Sequence, residues 1–549
     1  MNNSNENQDK ENKISKVPTN LARNSLYSFF TTYSSFFFAL STSFLLARMI
    51  SIEVWGYLIL TTSYLTIITI ILTFFPPGLS DSLNYYIPLY TSLNQMKKLK
   101  SFLINLFFFR LITVIILYAI AMFLISFFTN IFIINLGAFT NLLYILSPSI
   151  IFIGINSFLG GFNLGFGMFK TRFYLNLISN SVLLGGYLIL LIFIKPVEIE
   201  VVALITVFSL LLPFLINCLI FTIKILKIKT TDEERINFKD SLQKVLEYGS
   251  FTGANVILEK LWAEAQLQAI GTFESPSWVT GFNISNHYTD ISKRFIGTIR
   301  DPMITSFSAL DIKKDFNQIE KILRIVIKFS LFFTLITTGL LIFVVDFFLI
   351  FIYGEDYLLF SLLMKLILLT MTFGIINTVN SIMIKTTNRV KLFPILFFIF
   401  ISYKIFFFFF GLIYFGIIGA VIGLLISNII TLFLSNLLLF KLFKIKSDFR
   451  KILLLYLVFF ISLFFAFLLG NLFLNQFSSD ILRNLNLEIF GGIQIFSMVI
   501  FLIFFILLNY FINIFTKQDI EYIELIFTKD KRSHNTIKKL LRFIKRFLK

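Results

Sequence analysis

Along most of the chain, apolar runs of about twenty residues or more follow one another with only short polar breaks between them. The hydrocarbon core of a bilayer, about 30 Å thick, takes roughly 20 mainly apolar residues per crossing helix. Inside it, only helices and closed barrels satisfy their own backbone hydrogen bonds. The runs therefore predict an all-α polytopic membrane protein with about fourteen transmembrane helices, the first over 23–47 and the last over 489–515. With 57% of 549 residues hydrophobic and 14% charged, an ordinary soluble enzyme is excluded. The 74 phenylalanines read as lipid-facing and core filling. A single cysteine, Cys218, and two histidines, His287 and His534, build neither a disulfide framework nor a metal centre.

Lysine and arginine set the expected orientation. With the N-terminus inside, Lys97, Lys98 and Lys100, Lys170 and Arg172, Lys313 and Lys314, and Lys441, Lys444, Lys446, Arg450 and Lys451 all fall on cytoplasmic segments. The outer loops hold only Arg48, Lys195 and Arg483. This asymmetry accounts for the net charge of +18 without calling on nucleic acid. The expected division is a cytoplasmic tail over 1–19 and an N-lobe of six spans over 20–224, then a cytoplasmic linker over 225–244. A C-lobe of six spans over 245–445, two extra helices over 446–516 and a basic cytoplasmic tail over 517–549 follow. Glu53-Val54-Trp55-Gly56-Tyr57 opening span two and Glu274-Ser275-Pro276-Ser277-Trp278 opening span eight suggest parallel halves. At the far end, Ile537, Leu540, Leu541 and Ile544 share a helical face opposite Lys538, Lys539 and Lys545. That pattern reads as an amphipathic segment on an anionic leaflet or as a solvated basic tail.

Ionisable groups inside the spans are the candidates for function, because each costs roughly 2.5–3.5 kcal/mol at a helix centre if it faces lipid. Arg110, Glu259, Lys260, Glu264, Asp290, Lys293, Arg294, Arg300, Asp301, Lys365 and Lys404 all qualify. Span eight, over 278–308, carries an organised set. Asn283, His287, Asp290, Arg294, Gly297 and Asp301 recur every three or four residues, flanked by Asn286, Lys293 and Arg300, so one face is polar. Span seven, over 245–270, adds Asn255 and Glu259 on one line and Lys260, Glu264 and Gln268 on another. Two readings stay open: a cationic patch for phosphate, suited to guanidinium groups, or intrahelical pairs Asp290 with Arg294 and Lys260 with Glu264 that only neutralise each other. Arg23, Asn24 and Asp81 are candidates for a site where an anionic headgroup first docks. Pro76-Pro77-Gly78 closes span two, with Asp81, Asn84 and Tyr85 expected in a polar turn. No metal cluster, glycine-rich phosphate loop or large outer domain suggests catalysis.

Several short motifs point to a family. Leu45-Leu46-Ala47-Arg48 through Val54-Trp55-Gly56-Tyr57, Gly78-Leu79-Ser80 and Tyr85-Tyr86-Ile87-Pro88 resemble the opening of the polysaccharide-biosynthesis flippases of the multidrug/oligosaccharidyl-lipid/polysaccharide exporter superfamily. Tyr353-Gly354-Glu355-Asp356-Tyr357, Asn388-Arg389-Val390-Lys391 and Gly416-Ile417-Ile418-Gly419-Ala420 continue the likeness over most of residues 20–445. Members often carry a proline before that last glycine, where this chain has Tyr414-Phe415. The resemblance implies two six-helix lobes around a central cavity plus two C-terminal helices, and alternating access that moves polyprenyl-linked sugars from the inner to the outer leaflet.

The resulting expectation is a flippase in the cytoplasmic membrane, both termini cytoplasmic. Lys293, Arg294 and Arg300 would hold the phosphates, and Asn283, Asn286 and Glu259 the sugar hydroxyls. A cation-coupled multidrug exporter using Glu259, Glu264 and Asp290, or a membrane-embedded glycan ligase or polymerase, is the alternative. Expected partners are membrane lipids and the lipid-linked saccharide, with no nucleic acid and the chain acting as a monomer. No cofactor is expected, and a coupling ion, H⁺ or Na⁺, is left open.

Overall fold

Because a lipid-embedded backbone must close its own hydrogen bonds, the apolar runs become helices. The computed structural model describes residues 27, 30–73, 78–131, 137–194, 196–228, 234–308, 316–385, 392–445, 447–477, 486–516 and 519. Among them are fifteen α-helices and no strand. In the first half they are α1 (Phe30–Met49), α2 (Ile52–Thr73), α3 (Leu79–Ser92), α4 (Met96–Ile131), α5 (Gly137–Leu146), α6 (Ser149–Gly165), α7 (Phe169–Phe193) and α8 (Ile199–Lys227). The rest are α9 (Phe238–Phe273), α10 (Pro276–Ser308), α11 (Phe316–Phe348), α12 (Ser361–Lys385), α13 (Leu392–Phe443), α14 (Phe449–Phe477) and α15 (Asn486–Phe511). The chain is an all-α, multi-pass membrane protein.

Eleven segments among the described residues are long and apolar enough to cross a bilayer. The longest, Ile395–Phe443, is folded back on itself. Gly416 adopts φ 68° and ψ −162°, a break that glycine makes without a Cβ penalty. Tyr403 and Thr431, 28 residues apart, bring their hydroxyls within 2.6 Å. A Cβ on Gly423 would lie 2.2 Å from the Phe407 carbonyl oxygen. Arms 392–415 and 417–443 therefore run antiparallel as two helices. With α9 and α10, as long as spans but more polar, the helices match the fourteen runs of the sequence reading.

One expectation is corrected. Asp81, Asn84 and Tyr85 do not lie in a turn but on α3, a full helix. Its alternation of Leu79, Ser82, Leu83 and Ile87, all buried, gives it an inward face that the short polar residues between them conceal. Gly78, with φ 65°, starts it, and a Cβ there would come within 2.4 Å of Gly249 on α9.

The chain forms two compact units, Met1–Thr280 and Gly281–Lys549, so the division falls inside α10. In the first unit α2 packs on α9 and α5, α3 on α6 and α9, and α7 on α8. Helix α9, which begins inside the 225–244 segment expected as a linker, is tied to this unit by polar side chains whose partners are backbone. Gln268 Nε2 donates to the Leu60 carbonyl at 2.8 Å, Ser63 Oγ to that of Glu264 at 3.3 Å, and Ser82 Oγ to that of Val245 at 3.4 Å. Lys244 Nζ donates to the Tyr90 hydroxyl at 2.6 Å and lies 5.2 Å from the centre of its ring. In the second unit α11 packs on α12, α14 and α15, and α12 on α13. Phe332, Phe459, Phe501 and Phe505 interlock where α11, α14 and α15 meet. The expected amphipathic segment over 536–549 lies outside the described residues.

Candidate functional site

Two helices of the first unit each carry a polar stripe at helical spacing, and a third contributes one amide. On α6, Asn156, Gly160 and Asn163 stand at i, i+4 and i+7, and on α7 Arg172, Asn176 and Ser179 repeat that spacing. On α8, Asn217 adds one amide, with Leu210 and Pro213 seven and four residues before it. The stripes face a common cavity of about 580 Å³, which the Gly78-Leu79-Ser80 start of α3 and Arg110 of α4 also line. Lys260 of α9 completes it. The size falls in the range of cavities that take small-molecule ligands or headgroups, roughly 300–1,000 Å³.

Amide side chains are cross-linked along the walls. Asn163 Nδ2 donates to Asn217 Oδ1 at 2.9 Å, and Asn217 Nδ2 donates to Asn156 Oδ1 at 3.2 Å. Asn176 Nδ2 donates to Ser35 Oγ of α1. Such a network fixes amide orientation and presents both donors and acceptors. Arg110 is 2% exposed, so its charge depends on how it is held. Its Nε donates to the Gly154 carbonyl at 3.0 Å and Nη2 to Ser157 Oγ at 2.8 Å, while Ser157 donates to the same carbonyl at 2.7 Å. These partners fix the orientation of the guanidinium. Arg172 and Lys260 are exposed.

The described lining thus contains three cations, four asparagines and four hydroxyl side chains, but no carboxylate. Such a surface attracts anions and offers hydrogen bonds to a hydroxyl-rich group.

Of the residues singled out in the sequence, Arg110 and Lys260 are brought together here. Glu259 is exposed on α9, and Glu264 is half-buried there. On α10, Asn283, Asn286 and Asp290 are half-buried and His287 is exposed. Lys293, Arg294 and Arg300 lie on the helical run of α10, but their side chains fall outside the described residues, as does that of Asp81 on α3. Arg23 and Asn24 lie wholly outside them. Lys365 has a partner the sequence reading did not name: its Nζ sits 2.7 and 2.9 Å from the carboxylate oxygens of Asp346, which also accepts from Ser361. The asparagines and Arg172 were missed as site residues. Their signal was the i, i+4, i+7 spacing on α6 and α7, hidden because each helix contributes only a few polar groups.

Neither a protein-family model nor a curated protein matches the chain. Solved structures do. A mutant of the Vibrio cholerae MATE transporter VcmN superposes with a TM-score of 0.56 at 13% identity, over 77% of this chain and 96% of that one. The inward-facing conformation of a multidrug resistance MATE family transporter of the MOP superfamily gives 0.54 at 13%, over 73% and 93%. The lipid II flippase MurJ, in an inward closed conformation, gives 0.53 at 19%, over 87% and 97%. At these identities the likeness is one of architecture, and the chain has the fold shared by the MATE transporters and MurJ.

Proposed function

We propose that the chain is a flippase that moves the anionic headgroup of a polyprenyl-linked saccharide from the inner to the outer leaflet by alternating access. The observation that carries this reading is the charge of the first-unit cavity: Arg110, Arg172 and Lys260 without a described carboxylate. Guanidinium groups make bidentate contacts to phosphate, and fixed amides such as Asn156, Asn163 and Asn217 suit sugar hydroxyls. The lipid tail stays in the bilayer while the hydrated headgroup crosses through the polar cavity, so no charged group enters hydrocarbon.

Coverage supports the same reading. Residues up to Phe443 are about 81% of the 549, so the MurJ match over 87% of the chain must take in residues beyond it, whereas the exporter matches of 73–77% need not. A cation-coupled multidrug exporter, whose fold is equally shared, needs carboxylates where a cationic substrate or ion binds. The described lining works against it. Lys293, Arg294 and Arg300 of α10 stay in the proposal as further phosphate contacts, with Asn283, Asn286 and Glu259 toward sugar. We place the protein in the cytoplasmic membrane with both termini cytoplasmic.

Reconstitution with polyprenyl-pyrophosphate-linked saccharide, scoring headgroup access on each face of the vesicle, tests the proposal. Arg172→Ala, at an exposed position, is expected to weaken substrate binding about tenfold, the scale of one charge-assisted hydrogen bond, with protein abundance unchanged. Headgroup flipping that is indifferent to Arg172→Ala and to Lys260→Ala, together with cationic drug export by the same vesicles, overturns it.

A further inference from the structure

The second unit holds a cavity of about 440 Å³ that the transport reading does not use. One wall is Phe433, Leu437 and Phe440, at i, i+4 and i+7 on the second arm of α13, and the facing wall is Phe449 at the start of α14. All three wall residues of α13 are about half exposed, so the cavity opens on the outer surface of the helices, where lipid lies. Asn436, 8% exposed, and Ser447 add polar groups to the lining.

The turn above this slot is cationic. Lys444 ends α13 in a left-handed conformation, φ 60°, with its N–H donating to the Phe440 carbonyl at 2.9 Å. That bend carries its ammonium to 5.9 Å from the centre of the Phe440 ring, at the rim of the apolar slot. Lys441, Arg450 and Lys451 flank it in sequence. The one acidic residue of the turn, Asp448, is engaged from α11 by Arg324 Nη1 at 3.4 Å and Lys328 Nζ at 3.6 Å, so it does not neutralise the rim.

An apolar slot with ammonium groups at its mouth is complementary to an acyl chain that ends in a negatively charged phosphodiester. We propose that this cavity binds an anionic phospholipid, one acyl chain lying along Phe433, Leu437 and Phe440 and the phosphate at Lys444. The site is independent of the transported headgroup and of the cavity in the first unit.

Native mass spectrometry of the purified, delipidated protein, titrated with phosphatidylglycerol, phosphatidylcholine or inorganic phosphate, reads the site directly. The intact protein is expected to retain phosphatidylglycerol in preference to phosphatidylcholine. Lys444→Gln and Lys451→Gln should each lower that retention about fivefold, the effect of one cation near an anionic headgroup. Leu437→Trp, which fills the slot and leaves every charge in place, should lower it as well. Equal retention of the two lipids overturns the proposal. So does full retention by Leu437→Trp, which would reduce the effect to surface charge alone, or displacement of the lipid by inorganic phosphate, which would reduce it to a headgroup-only contact.

Discussion

Lys328 illustrates how a charge is kept inside the second unit. It is 3% exposed on α11, and its Nζ lies 2.8 Å from both carboxylate oxygens of Asp519, beyond the end of α15. Burial alone would raise the Asp519 carboxyl, but hydrogen bonds from Lys328 and from the Thr516 backbone N–H, together with the Lys328 charge, outweigh it and hold the group below its ordinary value. A carboxylate depressed in the folded state contributes stability that is complete above its unfolded pKa, about 3.9, and is lost as pH falls through the lower folded value. Asp519→Asn should therefore cost about 3 kcal/mol at neutral pH by leaving a buried ammonium short of its main partner. Thermal unfolding in detergent should show that loss shrinking as the pH is taken below about 4, and a pH-independent difference would count against the pair. The pairing was not legible in the sequence, since the partners are 191 residues apart. Arg110 and Lys260 were legible, because a charge within an apolar run must have a reason to be there. Asn163 and Asn217 were not, since a neutral amide costs too little in a helix to draw notice.

At the scale of elements, periodicity read correctly wherever a run was long and apolar, and failed where polar residues masked a short inward face, as in α3. The packing of α2 against the start of α10 was not foreseen, because the likeness of the two segments was read as a sign of parallel halves. Glu53-Val54-Trp55-Gly56-Tyr57 and Glu274-Ser275-Pro276-Ser277-Trp278 were noticed as similar sequences, and the structure makes them neighbours. A Cβ on Gly56 would stand 1.9 Å from the Pro276 carbonyl oxygen, and Thr280 Oγ1 donates to the Ile52 carbonyl at 2.8 Å. Backbone lies on both sides of that contact, so relief requires a helix to move. Gly56→Ala should destabilise by about 1–3 kcal/mol, the usual cost of overpacking. Gly185, with nothing within 4 Å of an added Cβ, is the control, and Gly185→Ala should leave the unfolding temperature unchanged or raise it slightly. Equal losses in the two variants would mean that the Gly56 contact relaxes freely.

At the scale of the whole chain, α9 decides how the transport cycle of the proposed function can be built. The sequence placed a linker at 225–244 and so left the helix after it to the second lobe. In the structure it is bonded to α2 and α3, and the compact unit runs on to Thr280. The physical reason lies in its side chains: Gln268 of the expected span and Lys244 of the expected linker, both on α9, find their partners on Leu60 and Tyr90 of the first unit. If alternating access works by the rocking of packed bodies, α9 moves with α2, and the Lys260 ammonium keeps its place in the cavity lining throughout. Cysteines at Ser63 and Glu264, in a Cys218→Ser background, report on this when bridged by a short thiol reagent. Bridged protein should flip headgroups at the rate of the unbridged protein, within about twofold, because hinge and shear motions leave contacts inside a rigid body intact. Arrest on bridging, reversed by reduction, would show that α9 slides along α2 during the cycle and that the cavity opens within the first unit.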